Sequence, residues 1–331
     1  METSASLPCL VFDHGNDQRA TTLYSVSDGA GQPCEEIEAE LRGKRSWATS
    51  HGWLLVWDPA TLATFLWNPW DATSEGNNNN MIALQAWASP PAAGTGCALS
   101  GEPTSGCTVV VLESSDDTAL WYCHAALGTS SPWARHEYDI GGTWVPWDTN
   151  VFAKRYVPGF AACRGKFYCD VSSDEYGVLD FSPEPALTIV KMTEPVEIAV
   201  PPGDFAQPFT YTLDIDGELH TVCITFSGAD AKCEAVVDAA VYRIDVAGRR
   251  CVRVDSIGEQ TILARGSKCY FAGWCPATEP GLLPNSVYWV HPYDGRLYVY
   301  DVGDNTQEVR EIGVGAGEPS RLPFWIVPPH R

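Results

Sequence analysis

The sequence predicts an all-β chain closed into one β-propeller of six or seven blades. Three observations predict it. Apolar runs are short, β-branched and aromatic, and each breaks at Gly, Pro, Asp or Asn. Helical periodicity is scarce. One hairpin phrase, a glycine turn followed by two aromatic-rich runs, recurs about every fifty residues, which is the period of propeller blades.

The elements follow in order. Leu7–Asp13 reads as a strand, and TLYSV (22–26) follows it. EEIEAELR (35–42) is the best helix candidate, about two turns long. SHGWLLVW (50–57) with TFLWNP (64–69) is the first full hairpin phrase. CTVVVLES to ALWYCHA (107–125) supplies another. CRGKFYCD (163–170) pairs with GVLDFSP (177–183), and IDGELHTV (215–222) with VYRIDV (241–246). ARGSKCYF (264–271) is followed by SVYWV (286–290) and GRLYVYDV (295–302). Six such units are counted, plus strands at the two ends. The turn glycines are Gly52, Gly165, Gly217 and Gly266, the last three at intervals of 52 and 49 residues. Glycine suits a tight turn that needs φ > 0. Leu322–Val327 is strand-like and strongly apolar. Left unpaired it would be a sticky edge, so the N- and C-terminal strands are predicted to share a blade and close the ring. A pair of β-sandwiches is the rival, but it does not explain the repeated glycine-aromatic hairpin.

Residues 1–331 are read as a single domain, because the repeats run through both halves. Acids outnumber bases 42 to 21, giving a net charge of −21. A surface that negative repels phosphate backbones and anionic lipid, so nucleic acid and membrane are set aside as partners. Arg42, Lys44 and Arg45 form the nearest basic cluster and read as a solvated turn. The start, METSASLPCLVFDHGND, has no basic n-region and only a short apolar run. No stretch approaches ~20 uninterrupted apolar residues. The 12 cysteines include no CxxC pair, and most sit in apolar runs, where reduced thiols act as small hydrophobes. Cytoplasm or nucleus is the expected compartment.

No chemical constellation stands out. A GxSxG elbow, a phosphate loop and an HExxH helix are all lacking. The seven histidines are scattered; His124 and His136 could approach one another in one blade. Acids such as Asp116, Asp117, Asp174 and Glu175 read as turn residues. No catalytic residue, cofactor or metal is therefore expected, and the chain is expected not to be an enzyme. Among the 13 tryptophans, Trp53, Trp57, Trp67, Trp121 and Trp289 read as packing between blades. Trp144 and Trp147 (in GGTWVPWDTN) and Trp274 (in AGWCPATEP) have a loop-like context. They are the candidate partner contacts. GNNNN (76–80) reads as a polar insertion.

Several segments carry a family resemblance: PCLVFD (8–13), GWLL (52–55), FLWNP (65–69), GKFY (165–168), VDSIG (254–258), KCYF (268–271), LPNSVYWV (283–290) and PFWIVP (323–328). The chain resembles the plant KIB-type β-propeller family, also known as domain of unknown function 295. The likeness spans nearly the whole chain and is strongest after about residue 240. Many members carry an F-box before the propeller; the F-box docks a ubiquitin-ligase core while the propeller holds the substrate. Here the propeller begins by residue 7, which leaves no room for an F-box of ~40–50 residues. The resemblance thus implies a non-catalytic protein-binding propeller, a stand-alone or decoy form of such a substrate-recognition domain. Its expected partner is a protein with a neutral or basic surface, without direct binding to the ligase core. The alternative is a propeller enzyme or carbohydrate-binding protein that uses carboxylates around the central channel.

Overall fold

The computed structural model describes residues 8–12, 21–70, 80–91, 95–113, 117–145, 148–198, 206–227, 235–265, 271–278, 281–291, 294–312 and 323–328. β1 (Cys9–Phe12), β2 (Thr22–Ser25) and β3 (Ala30–Pro33) open the chain, and helix α1 (Glu35–Leu41) follows. α1 matches the predicted helix to within a residue. It buries Ile37 and Leu41 and carries Glu35, Glu36 and Glu38 in its first turn, where the helix dipole favours them. The second sheet is β4 (Arg45–Ala48), β5 (Leu54–Trp57), β6 (Thr64–Trp67) and β7 (Met81–Leu84). The third holds β8 (Cys97–Leu99), β9 (Cys107–Leu112) and β10 (Ala119–Ala126). β11 (Thr129–Ser130) and β12 (Ala134–Glu137) both pair with β10. A separate hairpin, β13 (Gly142–Val145) with β14 (Asp148–Lys154), precedes the fourth sheet.

The fourth sheet runs β15 (Ala161–Cys163), β16 (Lys166–Ser172), β17 (Glu175–Asp180) and β18 (Ala186–Lys191). The fifth runs β19 (Ala206–Ile215), β20 (Glu218–Ser227), β21 (Ala235–Asp245) and β22 (Arg250–Val254). The sixth contains β23 (Gln260–Arg265), β24 (Phe271–Pro276), β25 (Ser286–Val290), β26 (Leu297–Asp301) and β27 (Thr306–Arg310). β28 (Phe324–Ile326) returns to β1, with Cys9 opposite Ile326, Leu10 opposite Trp325 and Val11 opposite Phe324. The ring is therefore closed by the two chain ends, as the sequence predicts, and among the described residues the sheets of four or five strands number six.

Each sheet packs on the next around the ring: β28 on β4, β7 on β10 and β11, β8 on β15, β15 on β19, β19 on β24, and β23 on β28. The reason for this architecture is burial. All four residues of β5 are buried, and all five of β25, so a central strand needs cover on both faces. Neighbouring blades supply it. Leu55, Trp53 and Trp57 pack toward Val109 and Val111, while Leu54 and Val56 pack toward Cys9 and Val11. The predicted packing tryptophans Trp53, Trp57, Trp67 and Trp289 are buried, and Trp121 packs half-buried beside them.

The three predicted turn glycines that lie among the described residues behave as expected. Gly52, Gly165 and Gly217 have φ of +77°, +78° and +79°. In the two-residue turns Arg164–Gly165 and Asp216–Gly217 the first residue is left-handed too, at +51° and +52°, which is the hairpin turn that matches strand twist. Gly266 and residues 76–79 of the Asn-rich stretch lie outside the described residues. His124 and His136 do not meet: His136 stands opposite Leu120, four residues along β10 from His124. Among the described residues no disulfide joins two cysteines. Arg42 pairs with Glu38, Lys44 with Glu40, and Arg45 lies 5.0 Å over the Trp57 ring, so the basic cluster is locally satisfied.

The sixth sheet has a feature that the sequence pattern does not reveal. Its order is β24-β23-β25-β26-β27, and β23 runs parallel to β25. The cause lies one blade earlier. Along β21, β22 pairs with Val241–Asp245 and stops halfway. The chain then turns back, so that Gln260 reaches Asp216 in the β19–β20 turn at 3.3 Å. β23 therefore starts from the same end of the ring as β20 and β25. It serves as an added pass that lets β24 run in the direction of an inner strand.

A polar chain crosses the seam between the fourth and fifth sheets. Thr212 Oγ1 donates to Asp170 at 2.5 Å, and Thr221 Oγ1 lies 3.0 Å from both the Thr212 and Tyr176 hydroxyls. Burial pushes the Asp170 carboxyl up, and the hydroxyls around it offset only part of that rise.

Candidate functional site

Trp144 and Trp274 separate in the structure. Trp147 lies outside the described residues. Trp274 is not in a loop: it sits within β24 and packs half-buried against the core between the fifth and sixth sheets. β24 continues through it, with Cys275 fully buried beside it, and the strand ends only at Pro276. Its ring is committed to packing between blades.

Trp144 is placed differently. It stands on β13, directly opposite Phe152 on β14. The two rings meet edge to face, with centroids 5.2 Å apart and planes at 70°. They are 59% and 60% exposed, which sets them apart from the buried tryptophans of the blades. Gly142 shapes the pair. A Cβ there would come within 2.4 Å of the Phe152 ring, so the ring lies directly on the glycine and is held beside Trp144. A register shift between Trp144 and Val145 bends the strand just beyond it. Tyr156, 48% exposed, follows β14 and adds a third aromatic side chain.

The hairpin interrupts the connection from β12 to β15. It therefore leaves the ring at the end opposite the 164–165 and 216–217 turns. A two-stranded hairpin is marginal by itself in water, and here its base is fixed. Arg155 N donates to Gly141 O at 2.9 Å, and Arg155 Nε to Ile140 O at 2.9 Å. The Arg155 guanidinium also pairs with Glu175 of the fourth sheet. Val157 N donates to the Tyr138 hydroxyl at 3.1 Å, and Tyr138, Ile140 and Val157 are buried between the third and fourth sheets. Nearby charges are matched to each other: Arg135 bridges Glu113 and Glu137 and, with Trp121 Nε1, holds the Glu113 carboxyl below its usual range. The result is a rigidly rooted aromatic surface. It offers large apolar contact area.

Phe152 and Tyr156 were not singled out in the sequence. The signal available was TWVPWDTNVF, in which Trp144 and Phe152 flank a Pro-containing stretch at positions that face one another in a hairpin.

No curated protein matches the chain. Solved structures similar to it include apo AztD from Citrobacter koseri, at 9% identity and a TM-score of 0.37, covering 97% of this chain and 98% of that one. The periplasmic gluconolactonase PpgL of Pseudomonas aeruginosa is 10% identical with a TM-score of 0.42, covering 97% of this chain and 99% of that one. BamB from Moraxella catarrhalis is 7% identical with a TM-score of 0.27, covering 91% and 90%. Among the described residues no helix is long and apolar enough to cross a membrane. The family model for the KIB1-4 beta-propeller matches residues 23–314, and the chain belongs to that family.

Proposed function

We propose that this chain is a protein-binding propeller that docks its partner through Trp144 and Phe152. The observation that carries the reading is the paired, water-exposed aromatic surface on a hairpin outside the six sheets. Isolated aromatic rings of this size gain most from burial against a partner, and tryptophan is enriched among residues that dominate binding energy. The family resemblance, in which a propeller holds a protein target, supports the same reading. The net charge of −21 favours a partner whose docking groove is apolar with a neutral or basic rim.

The test is quantitative affinity capture from the source tissue with the parent chain and a Trp144→Ala, Phe152→Ala double variant. Both side chains are exposed, so the variant should melt with the parent. Loss of one such anchor is worth about 2 kcal/mol, roughly a thirtyfold weakening. A partner retained equally by both chains would overturn the assignment of the surface. Captured partners should also weaken as salt rises.

A further inference from the structure

The seam between the fourth and fifth sheets opens at the other end of the ring, where the 164–165, 216–217 and 246–249 turns lie. It forms a cleft of about 380 Å³. Cys163, Tyr168, Leu219, Ile244 and Val246 give it an apolar lining, and Arg164, Glu218, Arg243, Asp245 and Arg250 supply its charges. The acids already have partners. Glu218 lies 3.8 Å from Arg243, and Asp245 lies 3.2 Å from Arg250.

What the cleft has to spare is donors. Among the described residues, the Arg164 guanidinium makes no ion pair and the Tyr168 hydroxyl makes no hydrogen bond. Arg164 is the left-handed first residue of its turn, and its Nε lies 3.9 Å from where a Cβ on Gly217 would sit. The guanidinium therefore reaches the turn of the next blade and stands over the seam. Burial pushes the Cys163 thiol up to about 12, so it stays neutral and does not repel negative charge. An apolar lining with two donors that have no protein partner among the described residues has the profile of a ligand site. A guanidinium with a phenolic hydroxyl suits an oxygen anion, which can accept from both.

We propose that this cleft binds a carboxylate or phosphate group carried on a small apolar body, gripped by Arg164 and Tyr168. The site is independent of the aromatic hairpin, which lies at the opposite end of the ring. A net negative chain leaves few places where an anion is welcome, so the unpaired arginine also confers selectivity. The group can come from a free small molecule or from an acidic or phosphorylated side chain of a protein, and the probes distinguish these sources.

The experiment is isothermal titration of the full chain at low salt. The probes are phenyl phosphate, inorganic phosphate, phenol, and capped tripeptides of leucine flanking either phosphoserine or glutamate. Phenyl phosphate or one of the charged peptides should bind saturably and more tightly than phenol. Arg164→Gln should weaken that binding about tenfold, the loss of one charge-assisted contact from an exposed arginine. Tyr168→Phe, which removes only the hydroxyl, should weaken it less, and Arg42→Gln, remote and paired with Glu38, should leave it unchanged. Tighter binding of a charged peptide points to a protein side chain, and tighter binding of phenyl phosphate to a free ligand. The proposal is overturned if no charged probe binds saturably, if phenol binds as well, or if Arg164→Gln has no effect.

Discussion

Substituting Trp325 probes ring closure directly. The indole is fully buried, stands opposite Leu10 across the β1–β28 pair, and donates from Nε1 to Ala264 O in the sixth blade at 3.0 Å. It thus touches both chain ends and the neighbouring sheet. Trp325→Ala removes a buried indole and leaves a cavity, which costs about 4 kcal/mol. Unfolding entropy near 2.1 cal/mol/K per residue gives ~0.7 kcal/mol/K for 331 residues, so the expected fall in Tm is about 6 °C. Trp325→Phe keeps most of the area but strands the Ala264 carbonyl, at about 1–2 kcal/mol, or roughly 2 °C. Differential scanning calorimetry with size-exclusion chromatography measures both. Trp144→Ala, at an exposed site, is the control and should shift Tm by less than about 1 °C. A Trp325→Ala chain that melts within 1 °C of the parent, as a soluble monomer, would refute the view that closure supports the whole ring.

Three further outcomes are expected. Because burial raises the Asp170 carboxyl, the native state favours its protonated form, and this group's contribution to stability falls as pH rises through and above the ordinary carboxylate range. Asp170→Asn should therefore gain on the parent in denaturant titrations as pH goes from about 3 to 7, and a constant difference would contradict the assignment. Burial pushes the thiols of Cys107 and Cys123 up to about 12, so iodoacetamide at pH 8 should modify half-buried Cys34 before either of them, read by peptide mass spectrometry. Early labelling of Cys107 or Cys123 would show that blade three opens. Arg155→Gln should speed amide exchange across 142–154 without a comparable change in blade five, since it cuts the ties to Ile140 and Glu175; unchanged exchange would mean the hairpin is rooted elsewhere.

What the sequence disclosed follows burial. The strands it marks most clearly, LLVW (54–57), TFLW (64–67), KFYCDVS (166–172) and SVYWV (286–290), lie inside their sheets. β5, β6 and β25 are buried throughout. Edge strands are quieter. TQEVR in β27 is almost wholly exposed, as is AGQP in β3, and neither has an apolar pattern that would single it out. The parallel pairing of β23 with β25 was invisible for a different reason: alternation reports which face a residue takes, not the direction of the neighbouring strand. Trp274 was misplaced because Gly273 and Pro276 on either side imitate a loop. The cleft was missed because its wall is assembled from residues 163–168, 217–219 and 243–252, which only the fold brings together. One trace was available: RIDVAGRRCVR (243–253) holds four arginines in an otherwise acidic chain.

The closing sheet also sets an order of events during synthesis. Val11 pairs with Phe324, 313 residues later, so β1 leaves the ribosome long before its inner partner exists. At ~5–20 residues per second the interval is about 15–60 s. Throughout it CLVF, buried at all four positions in the finished ring, lacks the strand that completes its sheet. The first blade is thus the last to be finished. A nascent chain of this design needs either a chaperone on that apolar stretch or enough early structure from the second and third blades to shelter it.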